Sequence, residues 1–522
     1  MTSPMHWSRW GDPAKVHPVS ASTRGLIEAF VGPVEERPTV ALDDVALPPI
    51  GLAGDLLGGL RALVGDDHVL TDDESRVRHT RGKSTPDLLR IRGGDASDAP
   101  DAVVRPQGHD EVARVVRWCS DERVALVPFG GGTSVVGGLV ARREGYAGTI
   151  ALDLTRMKRL VAVDHESMTA TLEPGLLGPE AEALLTSEGV TLGHHPQSFE
   201  YASIGGFAVT RSSGQASSGY GRFDSIVVAL RVATPIGDLE LGQSPSNASG
   251  PDLRELIMGS EGAFGVVTEV TVRVRNVPPV KVYEHWRFPS FLEGAAAMRA
   301  LKQAGIAPTV LRLSDELETM VNLADPSSVG AESQPGCLMV TGYEGDQATV
   351  DRERSVVSAA LSDLGGTSDG IDESWASGRY DGPYLRDSLL DIGVLVETLE
   401  TVTYWSQIPA LYEDVKTALA GSLGNPIVLC HISHVYETGC SLYFTVAVKM
   451  DGDGIDQWLA AKAAASDAII AAGGSITHHH GVGTDHKPWL AQEIGPVGVE
   501  ILRAVKDRLD PAGVLNPGVL VP

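Results

Sequence analysis

Three consecutive histidines, His478, His479 and His480, run directly into Gly481-Val482-Gly483. Imidazole titrates near neutrality, so such side chains can carry protons or hold an anion. The glycines that follow let the chain turn sharply and present the rings to a cavity. In an extended segment His478 and His480 share one face and His479 points away, so two of the three are expected to act together. A metal site would need further ligands at suitable spacing. Cys430-His431-Ile432-Ser433-His434, with Cys440 beyond it, offers thiol and imidazole donors. Its flanks, NPIVLC and LYFTVAV, read instead as two strands of a hairpin whose side chains pack or line a pocket. No metal is expected.

A second group of residues could hold an anion through backbone alone. Val127-Pro128-Phe129-Gly130-Gly131-Gly132-Thr133-Ser134 is an apolar strand leading into three glycines and two hydroxyls. Without Cβ atoms the backbone N–H groups can converge on a pyrophosphate. The pattern is neither G-x-G-x-x-G nor a P-loop, which argues against a Rossmann or NTPase reading. Further glycines follow in order, at Ser203-Ile204-Gly205-Gly206, Ser212-Ser213-Gly214 and Gly259-Ser260-Glu261-Gly262. Close packing of backbone around a flat ligand accounts for that distribution.

The elements that must position these residues fall into four stretches: 1–98, an arm with short helices such as Gly54 to Val64; 99–278, strands alternating with helices; 279–475, a second strand-helix-strand alternation expected to form a ferredoxin-like antiparallel cap; and 476–522, which carries the histidines and returns. The fold class is α+β. The 522 residues carry a formal charge of −26, which argues against a nucleic-acid partner, since displacing counterions needs basic surface. Four scattered cysteines fit a reducing compartment. With no long apolar run and no signal-peptide order at the N-terminus, a cytoplasmic protein with at most peripheral membrane contact is expected.

PFGGGTSVVGG, then HHPQSFEYASIGGFAVTRSSGQASSGYGRFDSIV, then GPDLRELIMGSEGAFGVVTEVTVRVR resembles the FAD domain of the vanillyl-alcohol-oxidase superfamily. With RLSD at Arg312, PYLRD at Arg386, ETLET, LYF at Tyr443 and HHHGVG at His478, the chain is most similar to the alkyldihydroxyacetonephosphate synthase family. The resemblance implies a two-subdomain PCMH-type FAD-binding domain with the cap above it. It implies non-covalent FAD, held by Pro128, Gly130, Gly131, Gly132, Thr133 and Ser134 at the pyrophosphate, by Gln197, Ser198, Ser203, Thr210, Ser212 and Ser213, and by Glu261 and Val267 near the adenine. It further implies Tyr443 as an acid/base residue beside His478, His479 and His480, with Arg312 and Arg386 facing the site. From the residues alone, Tyr443 reads as a core aromatic and Arg312 and Arg386 as members of surface ion pairs, Arg386 with the adjacent Asp387.

The activity implied is exchange of the acyl chain of acyl-dihydroxyacetone phosphate for a fatty alcohol through a flavin N5 adduct. The substrate would then be small and acidic or a lipid phosphate, and the protein a homodimer. The ending Leu515-Asn516-Pro517-Gly518 is instead closer to FAD-linked 2-hydroxyacid dehydrogenases, so oxidation of a 2-hydroxy acid or alcohol is the alternative.

Overall fold

The computed structural model describes residues 4–16, 18–321 and 335–522. Its flavin-type region has two main sheets and a two-stranded ribbon of Val190–Thr191 with Arg275–Asn276. In the first, Ala102–Val104, Gly148–Asp153 and Val124–Phe129 run parallel, with Val69–Leu70 antiparallel at the edge. The helix His109–Glu122 covers this sheet with Val112, Val115, Val116 and Cys119, a spacing that puts all four on one helical stripe. The second sheet is five-stranded and antiparallel, in the order Leu160–Asp164, Thr169–Leu172, Val266–Arg273, Val227–Thr234, Gly237–Leu241.

The cap opens as strand-helix-strand-strand-helix-strand: Val280–Phe288, Phe291–Gln303, Val310–Ser314, Cys337–Gly345, Gln347–Asp363 and Thr367–Ile371. These four strands lie in the spatial order fourth, first, third, second, which is the ferredoxin-like arrangement read from the sequence. Ile427–Ile432, Gly439–Lys449 and Val394–Tyr404 extend it to seven antiparallel strands.

Strand alternation then decides which side chains reach the site. Along Gly439–Lys449, Cys440, Leu442, Phe444, Val446 and Val448 join the helix-covered core, so Tyr443, Thr445 and Ala447 must face the other way. Along Ile427–Ile432 the core takes Val428, Cys430 and Ile432, leaving Ile427, Leu429 and His431 for the opposite face. Leu311 and Leu313 likewise turn Arg312 outward. That face is the roof of a cavity. The N-terminal helix Ala21–Val31, capped by the Ser20 hydroxyl, packs across its outer part through Ile27 and Phe30.

Below, the three glycines leave strand Val124–Phe129 and press against the segment 198–206. A Cβ on Gly130 would stand 2.2 Å from Ser203 Oγ, and one on Gly131 only 1.7 Å from the Tyr201 carbonyl oxygen. Gly132 has φ +69°, a region that L side chains rarely adopt. The glycines therefore serve first to let two backbones touch, which leaves their N–H groups free to face the cavity. Gly131→Asp is expected to separate the loops and reduce bound flavin to under a tenth of the wild-type content, measured by absorbance of the purified protein; undiminished flavin contradicts this role for the loop.

Candidate active site

The histidine segment is suspended between two buried carboxylates. Glu400 lies on strand Val394–Tyr404 and accepts the backbone N–H groups of His478 at 2.6 Å, His479 at 3.1 Å and His480 at 2.9 Å, and the Thr477 hydroxyl at 2.6 Å. Glu261, from the flavin-type region, accepts the N–H groups of Val482 at 2.9 Å and Gly483 at 2.8 Å. Gly481, at φ +93°, passes so close that a Cβ there would sit 2.9 Å from Glu261 Oε1. Asn516 completes the clamp, donating to the Glu261 carbonyl at 2.6 Å and the Gly138 carbonyl at 3.0 Å.

Gathering three successive N–H groups onto one carboxylate bends the segment, so strand alternation does not govern it. His479 and His480 line the cavity. His478 turns away, its Nε2 2.6 Å from the Tyr436 hydroxyl and its ring stacked 5.0 Å from that of His434. The pair presented to the cavity is thus 479/480 in place of the 478/480 pair an extended segment would give.

Tyr443 sits across the sheet from His431 on one side and Glu400 on the other. Its ring stacks 4.8 Å from His431 and meets His480 edge-on at 5.6 Å. Burial pushes the phenol up to about 12 and drives His480 down to about 3, with His479 also lowered. At neutral pH the site therefore presents a phenol that keeps its proton and imidazoles that are uncharged. Burial also acts upward on Glu400, but His479, His480 and the hydrogen bonds it accepts hold it at about 2.

Both arginines are paired. Arg312 donates to Glu318, which also pairs with His431 Nδ1 at 3.1 Å, and these two partners keep this buried acid at about 2 against the effect of burial. Arg386 donates to the Lys83 carbonyl at 2.7 Å and through Nε to Asp387 at 3.2 Å. The ion pair with Asp387 is buried; it is not a surface pair. Nε of Arg312 is buried without a hydrogen-bond partner, while a terminal nitrogen of Arg386 stands 3.1 Å from Asp387 Oδ1 in that ion pair.

These residues share one cavity of about 400 Å³. Pro128, Gly130, Gly131, Gly132, Thr133 and Ser134 line it, as do Gln197, Ser198, Ser203, Thr210, Ser212 and Val267 on the same side. The cradle of bare glycine backbone beside two hydroxyls fits a flavin pyrophosphate. Ser213 lies elsewhere, its hydroxyl 3.0 Å from His434 Nδ1. Glu261 borders the cavity, and its carboxylate holds the histidine segment. Its own left-handed backbone, φ +50°, belongs to the turn that aims it there.

Several participants escape sequence reasoning. Glu318 carries no motif, and Glu400 belongs to ETLET without a role that the motif states; the signal for both is an acid set among β-branched and apolar residues, which must find partners when buried. Trp10, Leu26 and Phe30 of the N-terminal arm also line the cavity.

Residues 100–241 match the FAD binding domain, and residues 277–520 match the C-terminal domain of FAD linked oxidases. The chain is 34% identical to alkyldihydroxyacetonephosphate synthase of Dictyostelium discoideum over 94% of its own length and 84% of that protein. It is 26% identical, over 90% of its length and 80% of the relative, to the mitochondrial D-lactate dehydrogenase (cytochrome) of Arabidopsis thaliana. A solved structure of an alkyldihydroxyacetonephosphate synthase aligns with a TM-score of 0.84 at 29% identity, covering 98% of both chains. The clamp on the histidine segment, the glycine cradle and these matches agree: the chain is an FAD-dependent enzyme belonging to the alkyldihydroxyacetonephosphate synthase family.

Proposed function

We propose that this enzyme exchanges the acyl chain of an acyl-dihydroxyacetone phosphate for a fatty alcohol, a step of ether-lipid synthesis. The observation that carries the reading is the shape of the cavity. Beyond the glycine cradle and the ring of Tyr443, His479 and His480, it continues along an apolar wall of Leu26, Ile27, Phe30, Leu389, Ile427 and Leu429. A polar head beside the flavin and a long hydrocarbon along that wall suit the two ends. A small 2-hydroxy acid would leave the apolar part unused.

FAD bound on Gly130 to Ser134 supplies an electron-accepting ring beside the reacting carbon. The chain's own groups handle protons and charge. In the exchange the carbon–oxygen bond to the acyl group breaks, the acyl chain leaves as carboxylate, and the alcohol oxygen bonds to that carbon as its proton departs; no net oxidation occurs. Neutral His480 accepts the proton removed next to the ketone, and Glu400 stabilises the imidazolium that forms, since its Oε1 lies 4.0 Å from His480 Nδ1. Tyr443, which retains its proton, donates to the substrate oxygen. The guanidinium groups of Arg312 and Arg386, both on the cavity lining, receive the phosphate. This proposal includes a homodimeric, cytoplasmic protein touching membranes at most peripherally; no helix among the described residues is long and apolar enough to cross one.

Anaerobic absorbance spectra separate this reading from the dehydrogenase alternative. Palmitoyl-dihydroxyacetone phosphate is expected to deplete the oxidised-flavin band, and fatty alcohol to restore it. Depletion by a 2-hydroxy acid alone, reversed only by an electron acceptor, contradicts the proposal.

Tyr443→Phe and His480→Ala are expected to stay folded and FAD-loaded while turnover falls about a hundredfold or more, the scale of lost acid/base assistance; full activity in both overturns the assigned roles. Glu400→Gln is expected to lose turnover similarly and to change acid stability. Because the folded carboxyl is held below its ordinary range, its contribution is present above pH ~4.5 and lost as pH falls toward ~2. The wild-type thermal midpoint should accordingly drop more steeply than that of Glu400→Gln over this window, and parallel curves would contradict the clamp.

A further inference from the structure

His434 lies outside the cavity lining and has no part in the chemistry above. It follows strand Ile427–Ile432 and is buried behind the histidine segment. Its Nδ1 faces two hydroxyls, Ser217 Oγ at 2.7 Å and Ser213 Oγ at 3.0 Å. That engagement leaves Nε2 for the space between the rings. His478 is arranged in the complementary sense: Nε2 meets the Tyr436 hydroxyl at 2.6 Å, and Nδ1 stands 3.0 Å from His479 Nδ1. One ring nitrogen from each of His434, His478 and His479 lies within 4.8 Å of the other two.

We propose that His434, His478 and His479 form a binding site for a divalent transition cation of the zinc type, with a fourth position for water or an anion. Imidazole nitrogens are good ligands for such cations, and three of them with an open position is a recurrent zinc arrangement. Metal-bound imidazoles usually engage their second nitrogen with a fixed hydrogen-bond partner, which sets ring orientation. Here Ser213 and Ser217 do this for His434, and Tyr436 for His478. Nitrogens about 2.0–2.1 Å from a tetrahedral zinc stand roughly 3.3 Å apart. The pair on His478 and His479 already meets that spacing, and the third needs a shift of at most about 1.5 Å. Glu400, 3.6 Å from His479 Nδ1, offers compensating negative charge without entering the ligand set.

The trio is not the Cys430, His431, His434 and Cys440 donor set that the sequence offers, and a metal here departs from the sequence reading, which expects none. Cys430 and Cys440 are buried in the cap core with its apolar side chains, and neither joins the trio. The ligands instead come from the hairpin turn and the histidine segment, which lie 44 residues apart at His434 and His478.

The test is calorimetric titration of the FAD-loaded, chelator-treated enzyme with zinc chloride, without substrate, so that its outcome is independent of the reaction proposed above. One zinc per chain is expected, with affinity at least tenfold lower in His434→Gln. Absence of saturable binding, or undiminished affinity in that variant, overturns the site. X-ray absorption at the zinc edge of the loaded wild-type enzyme gives a reading that needs no variant. Three nitrogen ligands at about 2.0 Å are expected, and a shell dominated by oxygen or sulfur overturns it.

Discussion

Glu400 is a charged group with almost no contact with solvent, and a carboxylate in that position is tolerable only with its acceptor capacity filled. Three consecutive backbone N–H groups and one hydroxyl fill it. The dependence is mutual, because without the carboxylate those N–H groups would be stranded inside the protein. The bend in the histidine segment, the exposure of His479 and His480 to the cavity and the withdrawal of His478 all follow from that one set of hydrogen bonds. Glu261 repeats the device four residues on, from the other region of the protein. The segment is therefore a strap pinned at one end to the cap sheet and at the other to the flavin cradle. Imidazoles on the strap hold their place relative to both substrate and cofactor.

The broad architecture was legible because it rests on local regularities. Glycines in ordered clusters, period-two strands and the helical stripe of His109–Glu122 each state their structure in a few residues. The ferredoxin-like order emerged from element sequence alone. Residue roles that depend on distant partners were not legible. His479 was expected to point away because the segment was read as extended, and the residue that bends it is 80 positions before His480. The family resemblance places Ser213 at the flavin, yet its hydroxyl reaches His434, 221 residues on. Glu261 was placed by its motif near the adenine, while its left-handed backbone turns the carboxylate under the strap.

The arginines show a related limit. Sequence can mark Arg312 and Arg386 as cations near a site but cannot show that each carries its own buried acid. Glu318 and Asp387 fix the guanidinium planes and lower the net charge of the cavity, so an incoming anion meets oriented N–H groups and not bare positive charge. The N-terminal arm is the other surprise. The sequence reads residues 1–98 only as an arm with short helices, but Leu26, Ile27 and Phe30 of its helix Ala21–Val31 form part of the apolar wall against which a hydrocarbon would lie.

The central claim is that a cavity with a polar, proton-handling end and an apolar end carries out a substitution without net redox change. The most direct measurement is mass-spectrometric analysis of products from the FAD-loaded enzyme incubated anaerobically with palmitoyl-dihydroxyacetone phosphate and hexadecanol, with no electron acceptor. The account expects hexadecyl-dihydroxyacetone phosphate and palmitate in equal amounts over many turnovers. Absence of the ether product, or turnover that stops after one equivalent until an acceptor is added, would contradict it.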